Sequence, residues 1–510
     1  MELLAGARIA LTVRPVQRRA AALETAMLGH APGRVRLTRL HALTAALEEM
    51  RAIGYGAQVE ALVSGSMRDG APLNERLAGL YHLPIPLHSS AEFHDIYPDA
   101  ASTATGYLSL LAGNRAWLPQ AVDDFFANGG EKLWVVRIPE SEGQRGFIAP
   151  EESSLLDIDA LHGLATLLVI PSLALVAFPD LERLQVPARL PDVPRVRLEN
   201  PNPQFLPLGT NTDDDHRERR YSSELPEMPD PWPLENLLRA ILPQLVRLRP
   251  DIQCLFTLPL AYSGELDRPV VDQAALARLE LMVAETGNHE PLRRLQALFP
   301  YLRSPRLALH SPVGVIAGRQ AAVAAIKGPW HSMAAQQLRS EALPYPHLSR
   351  AQTLKLREQP GIGVLVTHSH FDRRLVLSLD DERLLVPALP GDAFDSADDP
   401  RLNAFRAAEI MRFLGFLRRQ LQALGEQLVF NVAVDDPRPR LLLERFFRQL
   451  YHRGALRGRV PEEGFSIRQS QPQEGALQFD IEIAPAFPID RLFLTFINLD
   501  GEWQAELRNG

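Results

Sequence analysis

Hydrophobic residues along the chain recur with two different spacings, which predicts a protein built from helices and strands together. Polar and apolar residues alternate over Ala7 to Pro15, as in a short strand, whereas RRAAALETAM (residues 18–27) and LHALTAALEEMRAIG (residues 40–54) have a helical period. Short apolar runs such as LWVVRI and IQCLFTLPL predict buried strands. The predicted fold class is α/β, with mixed α+β sheets.

The stretch DDFFANGGEKLWVVRI, from Asp123 to Ile138, places two glycines between a helical segment and a strand. A glycine loop that holds phosphate runs from a strand into a helix, because the helix N-terminus supplies free N–H groups. Here the order is reversed, so an anion would meet the carbonyl end of the helix. Asn128, Gly129 and Gly130 are therefore predicted to form a structural turn that ends a helix over Leu118 to Ala127.

Two proline-containing stretches divide the middle of the chain. The longest apolar run, Leu164 to Phe178, is interrupted by Pro171 and Ser172, which predicts two strands, TLLVI and ALVAF, instead of a membrane span. Between Gln185 and Pro233, ten prolines and the polar string NTDDDHRERR predict a long surface loop or a small decoration.

The last third of the chain combines long helices with strands. Successive strands are predicted for GIGVLVTHSHFDRRLVLSLDDERLLVPAL, and helices within residues 401–425 and 439–454. Strands are predicted again at FSIRQS, at ALQFDIEIAP and along the C-terminal segment that contains RLFLTFINLDGEWQAELRNG.

Composition limits the class of protein. The 510 residues are enough for about three domains. The formal net charge of −8, from 54 basic and 62 acidic residues, excludes bulk attraction to nucleic acid or to anionic lipid. Cys254 is the only cysteine, which excludes a disulfide framework, and we expect it in the core. The N-terminal sequence lacks the order of a secretory signal, so we expect folding in the cytoplasm.

The segment VLVTHSHFDR (residues 364–373) is the best candidate for a metal site. It resembles the strand-end motif of metallo-β-lactamase-fold hydrolases, and alternation on a strand would place His368, His370 and Asp372 on one face. However, Arg373 occupies the position of the histidine expected after the aspartate, and the only histidine downstream, His452, lies within an amphipathic helix. A metallohydrolase therefore stays an alternative. We expect no metal, no cofactor and no catalytic residues.

The charge pattern changes near the end of the chain. From Pro437 to Arg459 there are seven arginines and one acidic residue, Glu444, although the chain as a whole is acidic. This pattern predicts a solvated helix surface or a docking face for an acidic partner; nucleic acid is the least favoured alternative, because no platform of aromatic and basic residues accompanies it. The arginines are 438, 440, 445, 448, 453, 457 and 459.

Five blocks of sequence resemble, in the same order, the tail sheath proteins of contractile phage tails and related injection systems. The first is the aromatic-pair helix, NGG turn and VVR strand, with Phe125, Phe126, Asn128, Gly129, Gly130, Val135, Val136 and Arg137. The others are Phe299 to Ala322, Lys327 to Ala334, Pro360 to Thr367, and GALRGRVPEEGFSIRQ with the later APAFPIDRLFLTF. The resemblance departs from the family at Ser311–Pro312, which replaces a double proline, at the N-terminal opening and at loop 185–233.

The resemblance implies a non-enzymatic sheath subunit that polymerises as stacked hexameric rings around an inner tube and contracts. Implied partners are neighbouring sheath subunits, the inner tube protein and baseplate or cap proteins, without nucleic acid or membrane insertion. The particle is expected to assemble in the bacterial cytoplasm as part of a phage tail-like system. The same sequence features are also compatible with a baseplate-adjacent sheath paralogue or with a non-polymerising adaptor.

The resemblance also assigns roles to residues. Terminal strands would be exchanged between subunits by β-augmentation, although they can equally be ordinary edge strands of the fold. The strand residues are Ile9, Leu11, Val13, Leu492, Leu494 and Phe496, and the basic helix residues expected to face the tube are Arg412, Arg418, Arg419, Arg438, Arg440, Arg445 and Arg448.

The domain organisation expected for such a subunit has a core from N- and C-terminal parts and a middle domain that faces outward. The boundaries are 1–15 for an N-terminal arm, 16–140 for the first part of the core, 141–350 for the middle domain with loop 185–233, 351–488 for the C-terminal sheath domain and 489–510 for a C-terminal arm.

Overall fold

We describe the protein from a computed structural model, in which a mixed sheet of eight strands forms the centre. A separate four-stranded sheet with two long helices forms a C-terminal module. The described residues are 23–65, 73–102, 112–150, 154–186, 232–261, 270–286, 290–304, 308–358, 361–369, 375–385, 406–427, 437–470, 477–486, 492–499 and 502–508.

The eight-stranded sheet has six parallel inner strands and an antiparallel strand at each edge. Most of the inner strands are short apolar runs buried on both faces, as is usual for parallel strands covered by helices. In sheet order the strands are β13 (Leu375–Leu379), β12 (Gly363–Ser369), β8 (Leu295–Phe299), β5 (Gln253–Thr257), β4 (Leu173–Ala177), β1 (Glu24–Gly29), β3 (Leu133–Arg137) and β2 (Pro84–Leu87).

Alternate side chains of these strands enter two cores, one on each face of the sheet. Trp134 and Val136 belong to one core, whereas Leu133 and Val135 of the same strand belong to the other. Cys254, on β5, is fully buried, as expected from the sequence.

Helices cover both faces of this sheet and also form the C-terminal module. They are α1 (Leu37–Ala42), α2 (Thr44–Ala52), α3 (Gly56–Gly65), α4 (Glu75–Ala78), α5 (Ser90–Ile96), α6 (Leu118–Ala127), α7 (Ala165–Leu168), α8 (Pro179–Arg183), α9 (Leu234–Leu248), α10 (Gln273–Thr286), α11 (Val313–Lys327), α12 (Arg350–Glu358), α13 (Ala408–Glu426), α14 (Arg438–His452) and α15 (Pro461–Gly464). Among the described residues, no helix is long and apolar enough to cross a membrane.

The small sheets are local. A three-stranded antiparallel sheet and a two-stranded one lie beside the main sheet. Their strands are β9 (Tyr301–Arg303), β10 (Leu309–His310) and β11 (Leu343–Tyr345), and β6 (Leu260–Ala261) and β7 (Val270–Val271).

Two local predictions are wrong. The segment predicted as a helix over residues 18–27 contains part of strand β1, which lies between β3 and β4, and TLLVI forms helix α7 in place of a strand. At β1, the preference of alanine, leucine and methionine for helices is weak, and pairing with two buried neighbouring strands outweighs it. The second run, ALVAF, overlaps strand β4 as predicted.

The main sheet contains strands from both sides of the predicted domain boundaries at 140/141 and 350/351. Strands β4, β5 and β8, from the proposed middle domain, lie at its centre, and β12 and β13, from the proposed C-terminal domain, complete it. The described strands of residues 141–350 therefore include central strands of the main sheet. Two predicted segments lie outside the described residues. They are residues 187–231, which make up most of loop 185–233, and the N-terminal arm with Ile9, Leu11 and Val13.

The C-terminal module contains an antiparallel sheet whose strand order follows the chain: β14 (Phe465–Ser470), β15 (Leu477–Ile483), β16 (Leu492–Leu499) and β17 (Glu502–Arg508). Strand β16 is an inner strand, paired along its length with β15 and β17 of the same chain. Leu494 and Phe496 are buried in the module's core with α13 and α14. The prediction of a free C-terminal arm with Leu492, Leu494 and Phe496 is thus wrong, since the outer strands are β14 and β17.

Candidate assembly surface

The predicted NGG turn ends helix α6 and joins it to a distant segment. Asn128 follows the last helical residue, and the Gly130 N–H donates to the Phe125 carbonyl (3.1 Å). Gly129 has φ +95°, in the left-handed region that glycine adopts without strain. The Asn128 side chain also donates to the Arg339 carbonyl (2.9 Å) and accepts from the Arg339 N–H (2.8 Å). The turn therefore has a structural role within the subunit.

Helices α6 and α11 bring together the first two sequence blocks that resemble sheath proteins. They run side by side in register, so that Gly314 lies on Ala121 and Gly318 on Phe125. A Cβ built on Gly318 would lie 2.2 Å from the Phe125 carbonyl oxygen. Only glycine permits the two backbones to approach so closely.

The N-terminus of α6 is held by a buried carboxylate. Asp180, on α8, accepts hydrogen bonds from the N–H groups of Trp117 (2.8 Å), Leu118 (3.0 Å) and His30 (2.8 Å). The positive end of a helix favours an anion at this position. The carboxylate thus joins α6 and α8 to the end of β1.

The arginines of helix α14 form an exposed basic face. Leu443, Phe447 and Leu450 point into the module's core, which leaves the opposite side of the helix in solvent. Arg440, near the start of the helix, pairs with Glu444 across one helical turn (3.1 Å). Five arginines on the two long helices of the module are exposed, and we refer to them together as the basic surface: Arg418, Arg438, Arg440, Arg445 and Arg448.

Two arginines predicted to face the tube are buried, and this part of the prediction is wrong. Arg412 and Arg419 lie on the same side of α13, seven residues apart, and this side packs against the body that contains the main sheet. Only 2% of the Arg412 side chain and 8% of the Arg419 side chain is exposed. They stabilise the subunit internally and are not available to a partner.

Arg412 pairs with Glu382, which follows β13 and is fully buried. The guanidinium lies 2.9 Å from Glu382 Oε1, and the same carboxylate accepts from Gln320 (2.6 Å), from the Ser332 hydroxyl (2.7 Å) and from the Met333 N–H (2.7 Å). Burial alone would raise the pKa of Glu382, but the charge of Arg412 and these hydrogen bonds outweigh it and hold the pKa below its usual value. The pair joins the main body to the module.

Two further contacts fix the module on the body. Arg419 donates to the carbonyl of Asp251 (2.8 Å), just before β5, and lies 3.3 Å from its carboxylate. Trp330, in the loop after α11, is buried in the module's core against Phe413, and Arg453 lies over its ring. The KGPW segment of the third sequence block thus has a structural function that the sequence did not reveal.

The metal alternative receives little geometric support. His368 lies at the exposed end of β12, opposite Val376 of β13, and His370 and Asp372 lie outside the described residues. Within the described part of the chain, no group of three or more His, Cys, Asp or Glu side chains is placed to hold a metal ion.

Among the described residues, two features suit contact with other chains: the basic surface and the two outer strands of the C-terminal sheet. In the part of the chain that the structure describes, no further strand pairs with β14 or β17. The main sheet is less open at its edges. Pro84 and Pro86 remove two N–H donors from β2, and the N–H groups of Ala335 and Leu338 bind the carbonyls of β13.

Comparisons with known proteins give matches among solved structures only. No family model matches the sequence, and no curated protein matches it significantly. The helical sheath of the anti-feeding prophage (AFP) in its contracted state is 14% identical, with 96% of this chain and 98% of that chain covered and a TM-score of 0.50. A chain of the AFP baseplate, symmetrised six-fold, is 14% identical over 96% of this chain and 97% of that one, with a TM-score of 0.49.

A sheath complex named PVC, from an extracellular contractile injection system in its contracted state, is 10% identical, with 96% and 97% of the two chains covered and a TM-score of 0.47. Identities this low concern the fold and not the activity. The AFP sheath match extends over nearly the whole of both chains, so it includes the main body and the C-terminal module together. This chain has the fold of contractile sheath proteins, which is the fold that the ordered sequence blocks predict.

Proposed function

We propose that this protein is a non-enzymatic structural subunit of a contractile sheath, which polymerises as stacked hexameric rings around an inner tube and contracts to drive the tube forward. The observation that carries the proposal is the likeness to a sheath protein over nearly the whole chain, which includes both the main body and the module. Assembly would involve other copies of this chain, the tube protein and baseplate or cap proteins, within a phage tail-like particle built in the bacterial cytoplasm.

Electron microscopy tests polymerisation directly. The full chain is expressed alone and together with the products of neighbouring genes, and negatively stained samples are examined. We expect rings or striated tubes. A monodisperse monomer in every combination, at protein concentrations where the tube protein itself polymerises, would favour the non-polymerising adaptor instead.

The basic surface is proposed to face the inner tube. Its five arginines are exposed on the module, whereas Arg412 and Arg419 are buried in ion pairs with the body. A partner with acidic groups would gain from this charge, and the gain would weaken as salt increases. The two buried arginines are no longer part of the proposed surface.

Charge reversal tests this assignment. Arg445→Glu with Arg448→Glu is expected to reduce the amount of sheath that sediments with tube at low salt, because two exposed cations become anions. The matched control is Arg36→Glu with Arg39→Glu, an equally spaced and exposed pair at α1. Equal loss of co-sedimentation in both variants, or binding by the parent chain that does not change with salt, would remove the basic surface from the tube interface.

Strand exchange is proposed at the outer strands of the C-terminal sheet. Each outer strand presents one row of backbone groups that its own sheet does not use, and an incoming strand such as residues 7–13 of a neighbouring copy would pair with it. Removal of residues 1–15 is expected to abolish polymers while the monomer keeps its circular dichroism spectrum. Normal tubes from the truncated chain would show that the N-terminal segment is not the exchanged strand.

Metal analysis separates the hydrolase alternative from the structural proposal. A metallohydrolase would purify with about one or two transition metal ions per chain, and His368→Ala would lose them. We expect no metal that depends on His368.

A further inference from the structure

A cleft of about 480 Å³ lies beyond the C-terminal ends of β1 and β3. The loops that follow these two strands form one side of it, and the turn before β2 forms the other. Its lining is largely polar, and it contains two histidines that the proposed function does not use. The lining residues are 31–33, 75, 76, 81, 82, 137–142 and 162.

His82 is buried at the base of this cleft, with 2% of its side chain exposed. Its Nδ1 accepts a hydrogen bond from the Gly163 N–H (3.0 Å), and its Nε2 lies 3.1 Å from Glu142 Oε1. Since an atom that accepts an N–H bond has no proton of its own, the proton of the neutral ring is on Nε2 and is donated to Glu142. Both ring nitrogens are satisfied only while His82 is neutral.

Three charged or titratable side chains face the His82 ring, and two of them oppose a second proton. Arg76 donates to the His82 carbonyl (3.3 Å), and the ring of His162 lies 4.6 Å from that of His82. Glu142 favours the protonated form of His82, but its side chain is 39% exposed, so water weakens this effect. Burial is the largest cause that lowers the pKa of His82, and Arg76 and His162 act in the same direction. The other charged groups at the rim are Glu75, Glu140 and Arg137.

We propose that His82 is a proton-sensitive contact that holds segment 161–164 against the turn before β2 and releases it in acid. A proton taken from solvent would occupy Nδ1, so that the Gly163 N–H would lose its acceptor and meet a second N–H instead. Arg76, which donates to the carbonyls of both His82 and Leu161 (2.9 Å), would then lie beside an imidazolium. The segment separates from the turn, and the cleft opens.

The direction of the pH dependence follows from the lowered pKa. Unfolded or opened chains bind the proton near the ordinary histidine pKa of 6.5, whereas the closed cleft binds it only at lower pH. The stabilising effect of neutral His82 is therefore complete above about pH 6.5 and is lost as the pH falls below that value. This proposal does not depend on the sheath function.

Hydrogen–deuterium exchange of the full chain tests the contact. Peptides that cover residues 161–168 are followed at about pH 7.5, 6.5 and 5.5, with rates corrected for intrinsic exchange. One proton per opening event limits the change to about tenfold per pH unit, and we expect protection to fall by up to about tenfold between pH 6.5 and pH 5.5. The peptides that cover β5 are expected to keep their protection.

His82→Asn is the informative variant. Asparagine tolerates the positive φ of His82 (+53°), offers an oxygen to the Gly163 N–H, and does not titrate, so the pH dependence should disappear. His94→Asn is the matched control, because His94 also pairs with a carboxylate, Asp123 (2.8 Å), but is 38% exposed. Unchanged pH dependence in His82→Asn, or its loss in His162→Asn alone, would overturn the proposal.

A second variant covers the case in which His82→Asn fails to fold. Glu142→Gln removes the only charge facing the ring, among the described residues, that favours the proton in the closed cleft, so the closed form should bind the proton less well and protection should fall at least as far in acid as in the parent chain. A smaller loss of protection in acid than in the parent would contradict the role of the His82–Glu142 pair.

Discussion

The close approach of helices α6 and α11 predicts that Gly318→Ala destabilises the protein, although helix propensity alone predicts the reverse. Alanine in a helix interior is favoured over glycine by about 1 kcal/mol. In the structure, however, the new Cβ would lie 2.2 Å from the carbonyl oxygen of Phe125 and 2.8 Å from its carbonyl carbon. These are backbone atoms of a packed helix, so no side-chain rotation relieves the contact.

The magnitude depends on how far α6 has to move. An ordinary carbon–oxygen contact needs roughly 1 Å more than the structure provides, and overpacking of this kind costs about 1–3 kcal/mol or more. The displacement would also disturb the Asp180 hydrogen bonds at one end of α6 and the Asn128 bonds at the other. Because the contact is with backbone atoms, we expect the upper part of this range, and after the gain of about 1 kcal/mol in helix propensity the net loss in the free energy of unfolding is about 1–2 kcal/mol.

Urea unfolding followed by tryptophan fluorescence measures this loss as a lower midpoint at unchanged slope. Ala325→Ser, on the exposed side of the same helix, serves as the control and should change stability by less than about 0.5 kcal/mol. A Gly318→Ala variant as stable as the parent, or more stable, would refute the close crossing of the two helices.

Three further changes test buried charges. Arg412→Ala should destabilise the protein by about 3–5 kcal/mol, because Glu382 is left buried without its counter-charge. The control, Arg418→Ala at an exposed position, should change stability by less than about 0.5 kcal/mol. The midpoints of urea unfolding measure both effects. Burial raises the pKa of Asp124 to about 7 from 3.8, so the folded protein holds a proton there that the unfolded chain releases. The free energy of unfolding should therefore fall as the pH rises from about 4 to about 7. Asp124→Asn should flatten this part of the curve of stability against pH and should be more stable than the parent chain at higher pH. Asp180→Ala leaves three buried N–H groups without an acceptor and should cost about 3 kcal/mol or more, measured as a lower thermal midpoint, and a neutral result would show that the carboxylate is not needed at the α6 N-terminus.

Local features of the sequence predicted local structure well. The helix that ends at Ala127, its turn and the strand that follows depend on neighbouring residues, because a helix end needs a cap and glycine reaches positive φ at little cost. The exposure of Arg438, Arg445 and Arg448 on α14 was also predictable, since the helical period separates them from Leu443 and Phe447. The order of the five sequence blocks indicated the fold although no single block did so.

Features that depend on distant partners were not predictable. Glu24, Ala26, Met27 and Leu28 favour a helix, and only pairing with β3 and β4 makes this segment a strand. Nothing local distinguishes Arg412 from Arg418, because the difference is whether Glu382, thirty residues before Arg412, packs against that side of the helix. In the same way, the alternation around Leu494 and Phe496 predicts a strand but not its position in the sheet. Pairing with β15 on one side and β17 on the other makes β16 an inner strand.

The sequence by itself thus determined which segments can be helices, turns and buried strands, and which helix carries exposed positive charge, because these properties follow from side-chain spacing and local backbone preference. Only the tertiary structure decided which body each strand joins, which arginines are buried in ion pairs and where His82 finds its two partners. Those outcomes depend on contacts between residues far apart in the chain, and the free energy of such contacts exceeds the small local preferences that a sequence displays.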